Sequence, residues 1–175
     1  MRDDTLVLRS QRRASHGATV LLLTSQTSLV TTKWLESAMC PHLDLGTGLV
    51  GFKLVKSYEG AEIALKISEF IGTQVFKKAY SDGHTSLRDA VKIVGVKRIH
   101  THECSAPGAP ASNPIIEREN YLAHDCIRAA LVIAGMPLCF WSFAGPCCAF
   151  NRNCEFRGEK LPPYVTVHGE MRFAR

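Results

Sequence analysis

The first half of the chain alternates short apolar runs with segments in which apolar residues recur at helical spacing. A Gly-Thr-Gly sequence at 46–48 separates two of the runs and predicts a hairpin turn between them. Helical spacing predicts helices at 59–70 and 85–94, and Gly72 and Gly95 stand where these helices should end. The apolar runs predict strands at 18–25, 42–45, 49–56, 75–80 and 96–101.

Helical periodicity dominates the second half of the chain. A segment rich in Pro, Gly and Ser at 105–113 predicts a loop. A long helix should follow, because Ser112 or Asn113 can cap its start and Pro114 suits its first turn. Gly135 marks the end of this helix.

A further helix is predicted at 137–150. In the tail after it, the residue pattern changes from helical to strand-like spacing. Alternating residues at 164–167 and 171–173 are typical of strands. We therefore predict a mixed α/β domain over 18–155, followed at 156–175 by the start of a C-terminal β extension.

Composition supports a globular domain with a modest basic excess. Hydrophobic residues make up 46% of the 175 residues and charged residues 21%, proportions that argue against disorder. A net charge of +5 suits a partner that carries phosphates, although many proteins of this size are equally basic. Residues 1–17 are rich in Arg and predict a flexible basic arm, or a remnant of a longer polyprotein.

The cysteines and the apolar runs indicate where the protein resides. Seven cysteines are an odd number, and no apolar segment of signal-peptide length precedes them. We therefore predict a reduced, intracellular protein of the nucleus or cytoplasm. No apolar run approaches the ~20 residues that a membrane span needs, so no membrane partner is expected.

Two carboxylates stand at positions where α/β domains build sites. Asp82 follows the predicted strand at 75–80 and should lie at the carboxyl edge of the sheet. Glu117 lies in the first turn of the long helix, and the elements between can return it beside Asp82. Paired carboxylates repel unless a divalent cation joins them, and hard oxygen ligands suit Mg²⁺ or Mn²⁺. Alternatively, Asp82 caps a turn and Glu117 complements the helix dipole.

A series of motifs surrounds these two carboxylates. In chain order they are Ser-Asp-Gly at 81–83, a Pro-rich loop at 106–114, Glu-Arg-x-Asn at 117–120, Arg-Ala-x-Leu at 128–131, Ala-Gly-Met-Pro at 134–137 and Phe-Trp at 140–141. In this order and spacing they resemble the integrase catalytic core of copia-type long-terminal-repeat retrotransposons. Residues 44–48 and 54–57 resemble the second and third strands of that family, so the resemblance covers roughly 38–155.

The resemblance implies a ribonuclease-H-like α/β fold, in which helices flank a mixed sheet. It also implies an Asp-Asp-Glu triad that holds two Mg²⁺ or Mn²⁺ ions, with Asp82 as the second acid and Glu117 as the third. In this family a 3′-hydroxyl attacks a target phosphate to join element DNA to host DNA, and the protein works as a multimer. A polar face of the long helix carries Glu117 together with Tyr121, His124 and Arg128. The resemblance implies that this face contacts DNA; an ordinary solvated helix face is the alternative.

The sequence departs from the family at the first acid of the triad. This acid belongs on the first strand, but the run at 18–25 contains no Asp, and the position falls near Thr24 or Ser25. A hydroxyl brings no charge to hold two cations. Asp44 matches a non-catalytic Asp that opens a turn in relatives. We therefore interpret the chain as an integrase-like domain with impaired or lost strand transfer; a non-enzymatic nucleic-acid-binding or assembly module and a structural remnant are the alternatives.

A zinc site is a further alternative. The candidate ligands are His100, His102, Cys104, Cys147, Cys148 and Cys154. Their spacings match no paired Cys-x-x-Cys pattern. Packing of these cysteines as small apolar residues is the competing interpretation.

Overall fold

The computed structural model describes residues 20–23, 26–27, 38–105, 114–156, 158 and 160–169. The predicted basic arm at 1–17, most of the Pro-rich loop and the residues around Thr24 and Ser25 lie outside this part of the chain. The described strands are β1 (Val20–Leu23), β2 (Gln26–Thr27), β3 (Ala38–Asp44), β4 (Val50–Val55), β5 (Phe76–Ser81) and β6 (Ile99–Cys104). The described α-helices are α1 (Gly60–Ile71), α2 (Thr85–Val94), α3 (Pro114–Ile133), α4 (Trp141–Cys154) and α5 (Pro163–His168), with a 3₁₀ turn at Leu138–Phe140 before α4.

The six strands form one mixed sheet with β1 at its centre. β1 pairs antiparallel with β3 and parallel with β5, while β4 and β6 pair with the outer sides of β3 and β5. The short strand β2 pairs with the start of β3, on the edge of β3 that β4 leaves open. Helices α1 and α2 serve as the crossovers that parallel strands require. The predicted mixed α/β architecture is therefore confirmed.

The hairpin between β3 and β4 forms at the predicted Gly-Thr-Gly turn. The side chain of Asp44, which is buried, accepts hydrogen bonds from the Gly46 amide at 2.9 Å and from the Thr47 hydroxyl at 2.7 Å. Gly48 has a φ of 76°, a conformation that favours glycine. Both side-chain oxygens of Asp44 thus accept hydrogen bonds within the turn, in agreement with its interpretation as a non-catalytic residue.

Two helices cover one face of the sheet and form the first hydrophobic core. Because strand residues alternate between faces, Leu21 and Leu23 of β1 point toward this core whereas Leu22 points to the opposite one. The predictions for α1 and α2 are confirmed, and the second helix matches its predicted bounds at both ends. The buried members of this core are Leu21, Leu23, Cys40, Val55, Ile63, Ala64, Ile67, Ile71, Phe76, Ala79, Leu87, Ala90, Val91 and Ile99.

Helices α3 and α4 cover the opposite face and form the second hydrophobic core. The predicted long helix is confirmed as α3. None of the described helices, α3 included, is long and apolar enough to cross a membrane. Arg152 of α4 forms an ion pair with Glu119 of α3, with a nitrogen-to-oxygen distance of 2.7 Å to Oε1. The buried members of this core are Leu22, Met39, Leu43, Val50, Phe52, Ala123, Ile127, Leu131, Trp141, Cys148 and Ala149.

The side chain of Asn153 joins α4 to the sheet. Its Oδ1 accepts a hydrogen bond from the Val50 amide at 2.8 Å, and its Nδ2 donates one to the Val50 carbonyl at 2.7 Å. Val50 belongs to β4, an outer strand of the sheet. The amide of Asn153 therefore takes the place that a neighbouring strand would occupy beside this residue.

Three sequence predictions about strands need correction. The strand predicted at 42–45 begins four residues earlier, at Ala38. The predicted strand at 164–167 is wrong, because these residues belong to helix α5. Pro163 suits the first turn of a helix, and the Thr166 hydroxyl donates to the Pro162 carbonyl at 3.1 Å. The other predicted tail strand, at 171–173, lies outside the described residues, so the proposed β extension stays a prediction.

The last strand of the sheet begins three residues later than predicted. Val96 was expected to open it, but Val96 lies in a turn and its side chain is 73% exposed. The strand instead runs from Ile99 to Cys104, and its four central residues are all polar. The register with β5 places Cys104 opposite Ser81. Ser81 is the residue directly before Asp82 in the sequence.

Candidate functional site

The carboxyl ends of β1 and β5 lie side by side in the centre of the sheet. Leu23, the last described residue of β1, is registered with Ser81, the last residue of β5. The next residue in sequence is Thr24 after β1 and Asp82 after β5. This edge is the place where open α/β sheets position functional side chains.

Asp82 directly follows β5, as the sequence predicted, and is partly buried. Its Oδ1 accepts a hydrogen bond from the amide of His84 at 3.2 Å, so the turn-capping contact expected by the alternative interpretation is present. The pKa of the Cys40 thiol is raised to about 12, mainly by burial and further by the negative charge of Asp82. Burial also raises the pKa of Tyr58, with smaller contributions from Cys40 and Asp82. The Asp82 carboxylate therefore adjoins the interior of the domain.

Glu117 lies in the first turn of α3 and is exposed to solvent. This position agrees both with a metal ligand and with a carboxylate that only complements the helix dipole. Within the described part of the chain, no group of three or more His, Cys, Asp and Glu side chains could hold a metal ion. A metal site that joins Asp82 to Glu117 therefore stays a prediction.

The outer face of α3 carries the residues predicted to contact DNA. Tyr121 is 73% exposed, Arg128 is exposed, and His124 is partly buried between them. The pKa of His124 is lowered mainly by burial and then by the positive charge of Arg128, while Asp125 opposes this shift. The lowered pKa favours the neutral form of the His124 imidazole. The stripe offers one aromatic ring and one guanidinium group to a partner.

Ser81, His102 and Cys104 form a hydrogen-bonded cluster beside Asp82. The Ser81 hydroxyl lies 2.9 Å from Nε2 of His102 and 3.7 Å from Sγ of Cys104. Nε2 and Sγ are also 3.7 Å apart, and Ser81 Oγ donates to the Asp82 carbonyl at 2.9 Å. The sequence singled out His102 and Cys104, but Ser81 was missed as a partner because the pairing depends on the register of β5 with β6.

The remaining candidate zinc ligands do not complete a four-ligand site. All seven cysteines lie among the described residues, and none of them forms a disulfide there. Cys148 is buried in the second core, and burial raises its pKa to about 12, with smaller contributions from Cys126 and Cys147. Packing as a small apolar residue, the competing interpretation, therefore describes Cys148.

The fold is that of retroviral integrase catalytic core domains. The catalytic core domain of BIV integrase matches with a TM-score of 0.61 at 17% identity, over 86% of this chain and 93% of that one. The HTLV-2 integrase catalytic core domain in complex with magnesium matches in its dimeric and trimeric forms, both with a TM-score of 0.63 at 13% identity. These matches cover 86% of this chain and 96% and 97% of the HTLV-2 chains.

The sequence itself gives no comparable match. No protein-family model matches the chain, and no curated protein matches it significantly. At identities of 13% and 17% the structural similarity establishes the fold alone. The predicted ribonuclease-H-like mixed sheet flanked by helices is confirmed.

Proposed function

We propose that this chain is an integrase-like core domain that binds nucleic acid and in which metal-dependent DNA strand transfer is impaired or lost. The observation that carries the proposal is the edge formed by β1 and β5. In an integrase-core fold, Asp82 follows β5 there, while the run at 18–25 that contains β1 lacks an Asp. The sequence motifs at 81–141 support an origin in copia-type retrotransposons.

The available carboxylates fit a metal site only in part. Carboxylate oxygens are the ligands that Mg²⁺ and Mn²⁺ prefer, so Asp82 and Glu117 are of the right chemical type. The described residues supply no third ligand that would complete a cluster with them. Two cations would carry four positive charges, which two carboxylates neutralise only by half. Asp82 and Glu117 alone therefore do not supply the ligands of a two-metal site.

Restoring an acid at the end of β1 should restore strand transfer if the rest of the site is intact. We expect Thr24→Asp, or the neighbouring Ser25→Asp, to produce strand-transfer or nicking products that the unmodified chain does not produce. The register of Leu23 with Ser81 is why the first residue after β1 is the preferred position. The measurement is incubation of each purified protein with end-labelled duplex DNA and Mn²⁺, followed by gel analysis.

Asp82→Asn is the matched control for this experiment. Combined with the restored acid it should abolish any activity, because the remaining carboxylates could no longer hold the cation. Activity in the unmodified chain that Asp82→Asn removes would contradict the proposed impairment and identify the protein as an enzyme. Inactivity of all variants, with DNA still bound, would favour the alternative of a non-enzymatic binding or assembly module.

The exposed face of α3 favours that alternative as a second candidate function. We expect Arg128→Ala to weaken binding of duplex DNA and to reduce the salt slope of the affinity by about one, because one phosphate contact would be lost. Tyr121→Ala should weaken binding with little change in the salt slope, since an aromatic ring contributes no charge. Fluorescence anisotropy at several salt concentrations measures both effects.

The control for the DNA-binding prediction is Lys92→Ala on α2. Lys92 is an exposed cation outside α3, and its side chain forms an i,i+3 ion pair with Asp89 at 3.1 Å. If Lys92→Ala weakened binding as much as Arg128→Ala, the effect would reflect net charge alone. Equal affinity of all three variants and the unmodified chain would exclude the α3 face as the interface.

A further copy of the chain is a proposed partner in addition to DNA. The HTLV-2 integrase core has been described in dimeric and trimeric forms. A homo-oligomer of this chain would bring several basic surfaces to one DNA molecule, which increases avidity without new contacts.

A further inference from the structure

The outer edge of β4 offers hydrogen-bonding groups of the backbone to a further strand. The amide and the carbonyl of Val50 face this edge, where both bond to the side chain of Asn153. In an antiparallel pair the peptide groups of alternate residues point to the same edge, so those of Phe52 and Leu54 also point outward. No strand in the described part of the chain pairs with this edge. The amides and carbonyls of Phe52 and Leu54 are therefore placed to bind an extended chain.

Two further contacts define where this open stretch begins and ends. Pro41 of β3 is registered with Phe52 and has no amide proton, in agreement with the outward direction of the Phe52 peptide groups. Beyond the end of β4, the carboxylate of Glu62 accepts a hydrogen bond from the Lys56 amide at 2.6 Å. Side chains thus bond to the backbone on both sides of the stretch, which leaves room for a strand of about three residues.

An aromatic pair lies on one side of the open stretch. The side chain of Phe52 belongs to the second core, on the face of the sheet that α4 covers. Phe150 of α4 and Tyr164 of α5 line the same groove as Phe52, and their rings meet edge to face at a centroid distance of 5.6 Å. Phe150 is nevertheless 51% exposed. An apolar side chain of an added strand would cover this ring.

Charged groups lie on the other side of the open stretch. Lys53 follows Phe52 in the strand, so its side chain points to the opposite face, which α1 covers. Its Nζ lies 3.7 Å from one carboxylate oxygen of Glu69, and Nζ of Lys66 lies 3.1 Å from the other. Two ammonium groups that share one carboxylate leave a net positive charge. An acidic side chain would complement this side of the groove.

We propose that the outer edge of β4 binds an extended segment of a partner protein as an added strand, with an acidic residue between two apolar ones. In this mode of recognition, main-chain hydrogen bonds give affinity and alternate side chains give specificity. A second copy of β4 fits less well, because antiparallel pairing of the two open stretches would place Lys53 opposite its own copy. The site needs neither DNA nor a metal ion, so this proposal and the proposed function can fail independently.

The first test uses a fluorescein-labelled synthetic peptide, Ser-Gly-Ile-Glu-Ile-Gly-Ser, and the full chain. We expect fluorescence anisotropy to show saturable binding. Amide exchange measured by NMR should slow at Phe52 and Leu54 on addition of the peptide, whereas the Lys53 amide, which faces β3, should be unchanged. Absence of binding would overturn the proposal, and so would binding that leaves exchange at Phe52 and Leu54 unaltered.

Methylated peptides test the hydrogen-bonding pattern without any change to the protein. The amides of both isoleucines would face β4, so N-methylation of these amides should abolish binding. The glutamate amide would face away from β4, and its N-methylation should preserve binding. Equal affinities of the two methylated peptides would contradict strand addition.

A charge reversal tests the choice of partner. We expect Lys53→Glu to weaken binding of the glutamate peptide by roughly 3–10-fold and to strengthen binding of the same peptide with lysine in place of glutamate. Lys92→Glu on α2 is the matched control, because Lys92 is an exposed cation on a helix outside this groove. Circular dichroism checks that both variants are folded. An equal loss in Lys92→Glu, or unchanged preference in Lys53→Glu, would overturn the proposed selection of an acidic segment.

Discussion

Asn153→Ala is expected to lower the free energy of unfolding by about 2–4 kcal/mol. The side chain of Asn153 is only 7% exposed and makes two hydrogen bonds to the backbone of Val50, which is also buried. Truncation would leave the amide and the carbonyl of Val50 without these partners, and unsatisfied buried groups cost more than the hydrogen bonds themselves contribute. Urea unfolding followed by circular dichroism measures the change.

Asn153→Asp tests the chemistry of the same contact. At neutral pH the carboxylate could accept from the Val50 amide but would face the Val50 carbonyl without a proton to donate. We expect a loss of about 3–5 kcal/mol, which shrinks relative to the parent protein at acidic pH, where the carboxyl group gains a proton. Asn151→Ala, at an exposed position of the same helix, is the control and should change stability by less than about 0.5 kcal/mol. Equal losses of stability at Asn153 and Asn151 would contradict the stabilising role of the hydrogen bonds between Asn153 and Val50.

Acid is expected to destabilise the domain through His42. This side chain is fully buried and its ring stacks on Phe70 at a centroid distance of 5.1 Å. Burial, helped by the charge of Lys53, lowers the pKa of His42 from 6.5 to about 3. As pH falls from about 6.5 toward 3, His42 binds a proton in the unfolded chain but stays neutral in the folded chain. The free energy of unfolding therefore decreases. Between pH 7 and pH 4.5 the decrease from this residue is about 2–3 kcal/mol.

His42→Phe keeps an aromatic ring at this position and removes the titrating group. Overpacking can change stability at neutral pH, so the informative quantity is the dependence of unfolding free energy on pH. We expect this dependence between pH 7 and pH 4.5 to become shallower by the amount that His42 contributes. His100→Gln, at an exposed position on β6, should preserve the steeper dependence of the parent protein. Parallel profiles for His42→Phe and the parent would show that other groups cause the acid sensitivity.

Local sequence signals predicted most of the regular elements because they do not depend on distant contacts. Helix α2 was predicted at its observed bounds, since its apolar spacing is regular and Gly95 adopts the positive φ that ends it. The β3–β4 hairpin was predicted for the same reason, from its glycine-containing turn. Errors arose where strand-like and helical signals overlapped. At 164–167 the alternation of residues indicated a strand, but Pro162 and Pro163 directly before this segment favour the start of a helix.

The candidate site was less accessible to prediction because it depends on register. The position of Asp82 after β5 followed from the sequence, and so did the exposure of Tyr121 and Arg128. The contact of Ser81 with His102 did not, because it requires β5 and β6 to pair with one specific offset. The role of Asn153 was also hidden, since its partner Val50 lies more than one hundred residues earlier in the chain.

The central position of β1 has a consequence for synthesis of the protein on the ribosome. β1 emerges before the other described strands and gains its antiparallel neighbour β3 soon afterwards. Its other edge stays open until β5 has emerged, because the parallel pairing of Leu21 with Ala79 spans the whole β3–β4 hairpin and α1. During that interval the nascent chain exposes an unpaired apolar strand, which is a template for pairing with other chains. Slower translation between β4 and β5 would therefore lengthen the period in which nascent copies can aggregate.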